Sequence, residues 1–314
     1  MNSNSSRYFN PRIDGQQRIV CASKGIVTAD PKKILWVVSM LALGTVGSAL
    51  TASVSAFTVF LVSTIVTLCL GHSLGMHRRF IHRSYQCSGW MEYLFMHFGV
   101  LVGLAGPFGM LITHDTRDWA QRQKSCHDYF SHGQIWYRDF WWQVFCSIKL
   151  ENPPNLQIEP EIAEDVVYQW MERTWMLQQL PWAILFFALG GWGWVFWGIC
   201  SRVSISVIGH WAIGYLAHNK GSRTWHVDGA AVQGFNVPWA ALATMGESWH
   251  NNHHAFPGSA KLGIEKGQWD PGWWVLLALN RARLVSHIKT HETLADRNDL
   301  VLTQDCREIG GATS

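Results

Sequence analysis

From Ile34 to Gly71 the chain carries no charged residue, and from Thr174 to Ser201 again none. A helix needs about 20 residues to cross a bilayer core. The first run therefore predicts two tightly connected spans, at about 34–52 and 56–76, turning near Thr51-Ala52-Ser53-Val54-Ser55. The second continues past the lone Arg202 to about His218 and predicts two more, at 179–199 and 201–219. The stretch Tyr93–Thr113 is nearly as apolar. A crossing there would put the histidines before it and those after Arg117 on opposite membrane faces, so it is read as a re-entrant or surface-lying segment. Its break is expected around Gly103, Gly106 and Pro107. The predicted architecture is an all-α integral membrane fold of four transmembrane helices under a cytoplasmic, histidine-rich helical cap.

The flanks divide the chain into a polar, basic segment (1–33), a membrane domain (34–287) and a polar C-terminal tail (288–314) expected to be loosely ordered. The first segment has no apolar core, so no cleaved signal peptide is expected. Arg7, Arg12, Arg18, Lys24, Lys32 and Lys33 precede the first span, and Arg78, Arg79 and Arg83 follow the second. Arg202 is the exception in the turns on the other side. The positive-inside rule then places both termini and the histidine clusters on the cytoplasmic side of a multi-pass protein. Ile135–Lys149, rich in Trp and Phe, reads as an interfacial amphipathic piece.

Composition strengthens this reading. Hydrophobic residues make up 48% and charged ones 15%, against roughly 25% charged in soluble proteins. The 19 tryptophans suit a membrane–water interface. A net charge of +3 without a basic domain gives no reason to expect nucleic acid. Seven scattered cysteines without a CxxC pair read as free thiols.

The chemistry lies in the histidines. His250, His253 and His254 stand at i, i+3 and i+4, one face of a helix. Upstream, His72, His77 and His82 recur every five residues, and between the two clusters runs the polar stretch His114–His127. Neutral imidazole is the commonest protein metal ligand, and so many buried rings would otherwise lack partners. His72 and His210, inside apolar helices, are read as hydrogen-bonding between helices or behind the ligands, with a metal-ligand role the alternative for His72.

This set resembles the membrane fatty acid desaturase family, in particular its delta-9-type acyl-CoA and acyl-lipid branch, from about residue 34 to 285. His77-(four residues)-His82 is similar to the family's HxxxxH box. Gly246-Glu247-Ser248-Trp249-His250-Asn251-Asn252-His253-His254-Ala255-Phe256-Pro257 is similar to its last HxxHH box and flanks, and His218, followed by Asn219, falls where the family has an extra ligand. Anchored on Asp115 and Trp119, the middle HxxHH box falls on Gln123-Lys124-Ser125-Cys126-His127, where glutamine and cysteine replace two histidines. The resemblance thus implies His77, His82, His127, His218, His250, His253 and His254 as metal ligands. Gln123 and Cys126 are either substituted ligands or a damaged second position, and His114, Asp118 or His132 are alternatives that could swing in.

What the resemblance implies is a di-iron oxidase with two Fe2+ ions, using O2 and external electrons to introduce a C=C bond into an acyl chain. The acyl chain would be carried as a CoA, carrier-protein or lipid ester. Hydroxylation, acetylene formation or terminal-alkene formation would share the same oxidant. A non-catalytic lipid-binding relative with a degenerate metal site is the reading from outside the enzyme class. A separate donor such as ferredoxin, cytochrome b5 or rubredoxin is implied, because the chain has neither a His-Pro-Gly-Gly haem motif nor a cysteine set for an iron–sulfur centre. Arg78, Arg79, Arg122 and Lys124 are the basic residues expected to face such a donor or anionic lipid headgroups.

Overall fold

The computed structural model describes residues 10–14, 17 and 20–303, so Arg7, Arg18 and the end of the C-terminal tail lie outside the described residues. Among the described residues, three helices are long and apolar enough to cross a membrane: Pro31–Leu50, Val54–Ile81 and Gln179–Asn219. Pro31 opens the first, where its missing N–H costs nothing, and the Asp30 carboxylate caps the Lys32 and Lys33 amides. Large apolar side chains such as Leu35, Val46, Leu50, Ile184 and Leu189 point outward from these helices. That exposure suits a lipid environment, and the helices satisfy their own backbone there.

The long third helix is interrupted at Gly191, whose φ of 65° and ψ of −161° are open only to glycine. The segments on either side pack against each other. Arg202 Nη2 donates to Gln179 Oε1 at 2.6 Å, and Phe186 lies against Gly198. The chain therefore doubles back at Gly191, not near residue 200 as hydropathy suggested. Arg202 consequently sits inside the packed helices, 2% exposed, also donating to the Gly198 and Leu101 carbonyls. A charge surrounded by acceptors inside the helical bundle looks, in sequence, like a charge in a turn.

The segment between residues 89 and 121 breaks where expected. Helix Gly89–Leu101 ends before Gly103 (φ 87°), and helix Pro107–Gln121 starts from Gly106. The first packs along the second half of Val54–Ile81 so closely that a Cβ on Gly71 would overlap the Phe98 carbonyl carbon.

Three expectations are corrected. The fold is predominantly helical rather than all-α: among the described residues, three two-stranded antiparallel ribbons join Cys21–Ala29 to Cys146–Asn152, Gln86–Cys87 to Val285–Ser286, and Trp225–Val227 to Leu300–Leu302. The first of these ends the aromatic helix at Phe145, so the interfacial piece is Trp136–Phe145 followed by a strand. Residues 288–303 are likewise packed, not loose. Arg297 pairs with Asp299 at 2.7 Å and donates to the carbonyls of His254 (3.1 Å) and Ala255 (2.6 Å). These pairings are long-range, and no local period announces them.

The N-terminal segment is also built in. Arg12, 5% exposed, pairs with Asp115 (3.1 Å) and Glu159 (2.9 Å) and donates to the Ile81 carbonyl (2.9 Å). It ties the ends of two site-bearing helices together.

Candidate metal centre

Val54–Ile81 changes its winding from Thr67 onward, where the hydrogen bonds run to the fifth residue. In an α-helix, residues five apart point about 140° away from each other. In the underwound form they stack. The rings of His72 and His77 are accordingly parallel within 2° at 6.4 Å, and those of His77 and His82 lie 4.7 Å apart. The five-residue spacing of the first box is thus matched by local backbone geometry.

The short helix His250–Ala255 is held by the asparagines between its histidines. Asn251 and Asn252, each 1% exposed, receive their backbone amides' acceptor from one residue, Asn236 Oδ1, at 3.0 and 3.3 Å. The Asn251 side chain in turn accepts from the Thr224 and Trp225 amides, and that of Asn252 donates to the Leu262 carbonyl. Six residues of free helix would not persist in water, so this scaffold is what positions the rings.

Among the described residues, two groups of histidines converge. His77, His82, His114 and His253 form one; His218, His250 and His254 form the other; within each, the nitrogens lie within 4.8 Å of one another. The three histidines of the last box share a face as expected, yet they divide: His250 and His254, one turn apart, serve the second group, while His253 serves the first. The groups adjoin, with the His250 and His253 rings 5.6 Å apart.

Hydrogen bonds set which nitrogen each ring offers. His218 Nδ1 donates to the Gly214 carbonyl at 2.8 Å, leaving the Nε2 lone pair facing His250 Nε2 at 3.2 Å. His250 Nε2 is in turn 3.0 Å from His254 Nε2. His114 Nδ1 donates to Asp115 Oδ1 at 3.2 Å, and His77 Nδ1 lies 2.6 Å from Glu247 Oε2. Glu247 is held by Ser73 Oγ (2.6 Å) and Arg78 Nε (3.3 Å). A carboxylate behind an imidazole fixes its orientation and raises its basicity toward a metal.

Burial, and then the neighbouring histidines, hold His82, His250, His253 and His254 well below the usual imidazole range, so all four are neutral at pH 7. His82 Nε2 and His253 Nδ1 are buried without a hydrogen-bond partner. Neutral imidazoles facing one another, with buried nitrogens lacking partners, are what a divalent cation would satisfy. The residues fit metal.

The middle box is reframed. His114 belongs to the first group, whereas Gln123, Cys126 and His127 lie outside both. Helix Pro107–Gln121 ends before them, so they cannot share the face of His114. Gln123 Nε2 donates back to the Trp119 carbonyl, and burial pushes the Cys126 thiol up to about 11, keeping it protonated. His127 Nδ1 accepts from the Tyr129 amide at 3.1 Å. The anchors misled because Asp115 turns to Arg12 and Trp119 packs with Ile13 and Ala22. Of the stretch His114–His127 only His114 enters a group, and two turns on, seven residues from His114 and so on its face, comes Gln121.

The remaining candidates are engaged elsewhere. Asp118 holds Arg122 Nε at 3.0 Å, and Asn219 Nδ2 donates to the His132 carbonyl. His132 stacks on His218 at 5.2 Å, but its Nδ1 donates to Asp139 (2.8 Å) and its Nε2 accepts from Arg117 (2.5 Å). His72 bonds His210 between helices, Nε2 to Nε2 at 2.9 Å, as its position suggested. Arg78, 1% exposed, pairs with Asp270 and Glu247, so it is structural rather than part of a docking face. Gln121, Arg117, Glu247, Asn236 and Arg297 were missed as parts of the site. Only the i, i+7 relation of His114 and Gln121 could have been read in advance.

Apolar helices carrying two histidine groups that could hold metal define a membrane-type, multi-histidine metal-site protein. The "Fatty acid desaturase" family profile matches residues 52–260. The sn-1 stearoyl-lipid 9-desaturase of Anabaena variabilis is 32% identical over 87% of this chain and 98% of its own length. The Delta-9 acyl-lipid desaturase 1 of Arabidopsis thaliana is 30% identical over 70% and 71%, and an acyl-CoA 5-desaturase of Anemone leveillei 28% over 76% and 73%. This chain belongs to the fatty acid desaturase family, in the branch of the delta-9 acyl-lipid enzymes.

Proposed function

We propose that this protein introduces a double bond into a fatty acyl chain esterified to a membrane lipid, at the ninth carbon, with two iron ions bound by the two histidine groups. His77, His82, His114 and His253 would hold one ion, and His218, His250 and His254 the other. The observation that carries this reading is the convergence of seven histidines from four separate segments. The lipid-ester substrate and the ninth position are supported by the names of the acyl-lipid relatives, one matched over nearly its whole length. Bound iron would supply the O2-derived oxidising power that no side chain has for an unactivated C–H bond.

The chain's own residues do the rest. Glu247 and the Gly214 carbonyl orient the rings, the buried asparagines keep His250, His253 and His254 in register, and the apolar helices exclude water. Four crossings, with the reversal at Gly191 and the histidine end on the cytoplasmic side, are supported by the packing of 179–190 on 192–219 and by Lys32, Lys33, Arg79 and Arg83 at that end. Electrons would arrive from a separate ferredoxin-, cytochrome b5- or rubredoxin-type donor.

Expression in a host lacking the activity, with a competent donor, followed by mass spectrometry of total fatty acids, tests the proposal. A new monounsaturated chain is expected, abolished by His114→Ala and His250→Ala and retained in His127→Ala. No new unsaturated product, or loss with His127→Ala but not His114→Ala, would overturn the assignment.

A further inference from the structure

We infer that the two metal positions are unequal: the second keeps one corner without a protein lone pair, binds its ion more weakly than the first, and accepts a small exogenous anion there. This rests on the metal-centre reading above.

The open corner is made by Gln121, 2% exposed. Its Nε2 lies 2.7 Å from the Phe130 carbonyl, which can only accept, so that atom is the amide nitrogen. The same nitrogen lies 2.9 Å from His218 Nε2, which bears the ring's lone pair because Nδ1 donates to Gly214. Beside His218, Gln121 therefore presents an N–H and no lone pair to the second group. A cation is repelled by that end of the dipole; an anion bound to the cation is attracted by it.

The next imidazole, His132, cannot fill the corner, because Asp139 and Arg117 occupy both of its nitrogens. Ligand count sets the two positions apart: one has four imidazoles, the other three. Behind the first, Glu247 lies 2.6 Å from His77 and supports its ring directly; behind the second, the ring stacked on His218 is held between Asp139 and Arg117.

Metal-free protein in detergent is titrated with Co2+ by calorimetry and visible absorption. Two classes of site are expected, the second weaker by about 10- to 100-fold, the range for losing one supporting partner of a metal site. His114→Ala should remove the tight class. Gln121→His and Gln121→Glu, which each supply a lone pair, should tighten the weak class by a similar factor and leave the tight class unchanged. Azide should shift the absorption only after the weak class has filled. Two equal sites, a weak class unmoved by both Gln121 substitutions, or no azide effect would overturn the inference. No Co2+ binding at all, or binding indifferent to His114→Ala and His250→Ala, would overturn the metal-centre reading instead.

Discussion

Arg12 and Asp115 stand 103 residues apart in the chain and 3.1 Å apart in the fold, with side chains only 4% and 1% exposed. Asp115 also accepts a hydrogen bond from His114 Nδ1, so the pair links the N-terminal segment to a proposed metal ligand. Removing one partner of a buried ion pair strands the other, at about 3–5 kcal/mol. Arg12→Ala should therefore lower the thermal midpoint in detergent markedly, whereas Arg83→Ala, at an exposed partner of Glu159, should change it little. Equal midpoints for the two variants would refute the linking role.

The metal-free protein should lose stability on acidification. Burial, then like-charged neighbours, depress His82, His250, His253 and His254 in the folded state, against about 6.5 when unfolded. Below that value the unfolded chain binds more protons than the folded one, so stability falls as pH falls and is fully present above it. The midpoint of the apo protein should be level above about pH 7 and decline below about pH 6.5. Loaded protein should release metal over the same acid range, because ligands must be unprotonated. A midpoint level down to pH 5 would contradict this.

Glu247→Gln keeps the shape behind His77 but removes the charge. Metal affinity at the first position should fall about 10- to 100-fold, with the second position unaffected, as read by Co2+ titration. Arg78 retains Asp270 as its counterion in that variant, so the fold should survive. An unchanged first class would show that Glu247 serves Arg78 alone.

Gly71→Ala should be worse than Gly99→Ala, although both lie in the same helix contact. A Cβ on Gly71 meets the backbone of Phe98 and Gly99, which cannot yield, while one on Gly99 first meets the flexible Met76 side chain at 2.7 Å. Overpacking costs about 1–3 kcal/mol, and the Gly71 variant should sit at or above the upper end. Thermal midpoints and product yield of the two variants decide it.

Sequence alone was sufficient wherever the determinant is local. Uncharged runs of bilayer length gave the apolar helices at 31–50 and 54–81 to within a few residues. The i, i+3, i+4 spacing of His250, His253 and His254 is itself a helical face. The break between Gly103 and Gly106 is marked by Pro107, which is tolerated at a helix start but not within one. Tertiary structure decided what depends on partners far away in the chain. Whether the rings of His77 and His82 meet depends on backbone winding. His114 rather than His127 enters the centre because the helix ends at Gln121 and Asp115 is drawn to Arg12. Arg202 could be buried only because Gln179 and the Leu101 carbonyl reach it, which moves the reversal to Gly191. A side chain's type and spacing state what it can bind; the packing around it determines which way it points, and thus whether it does.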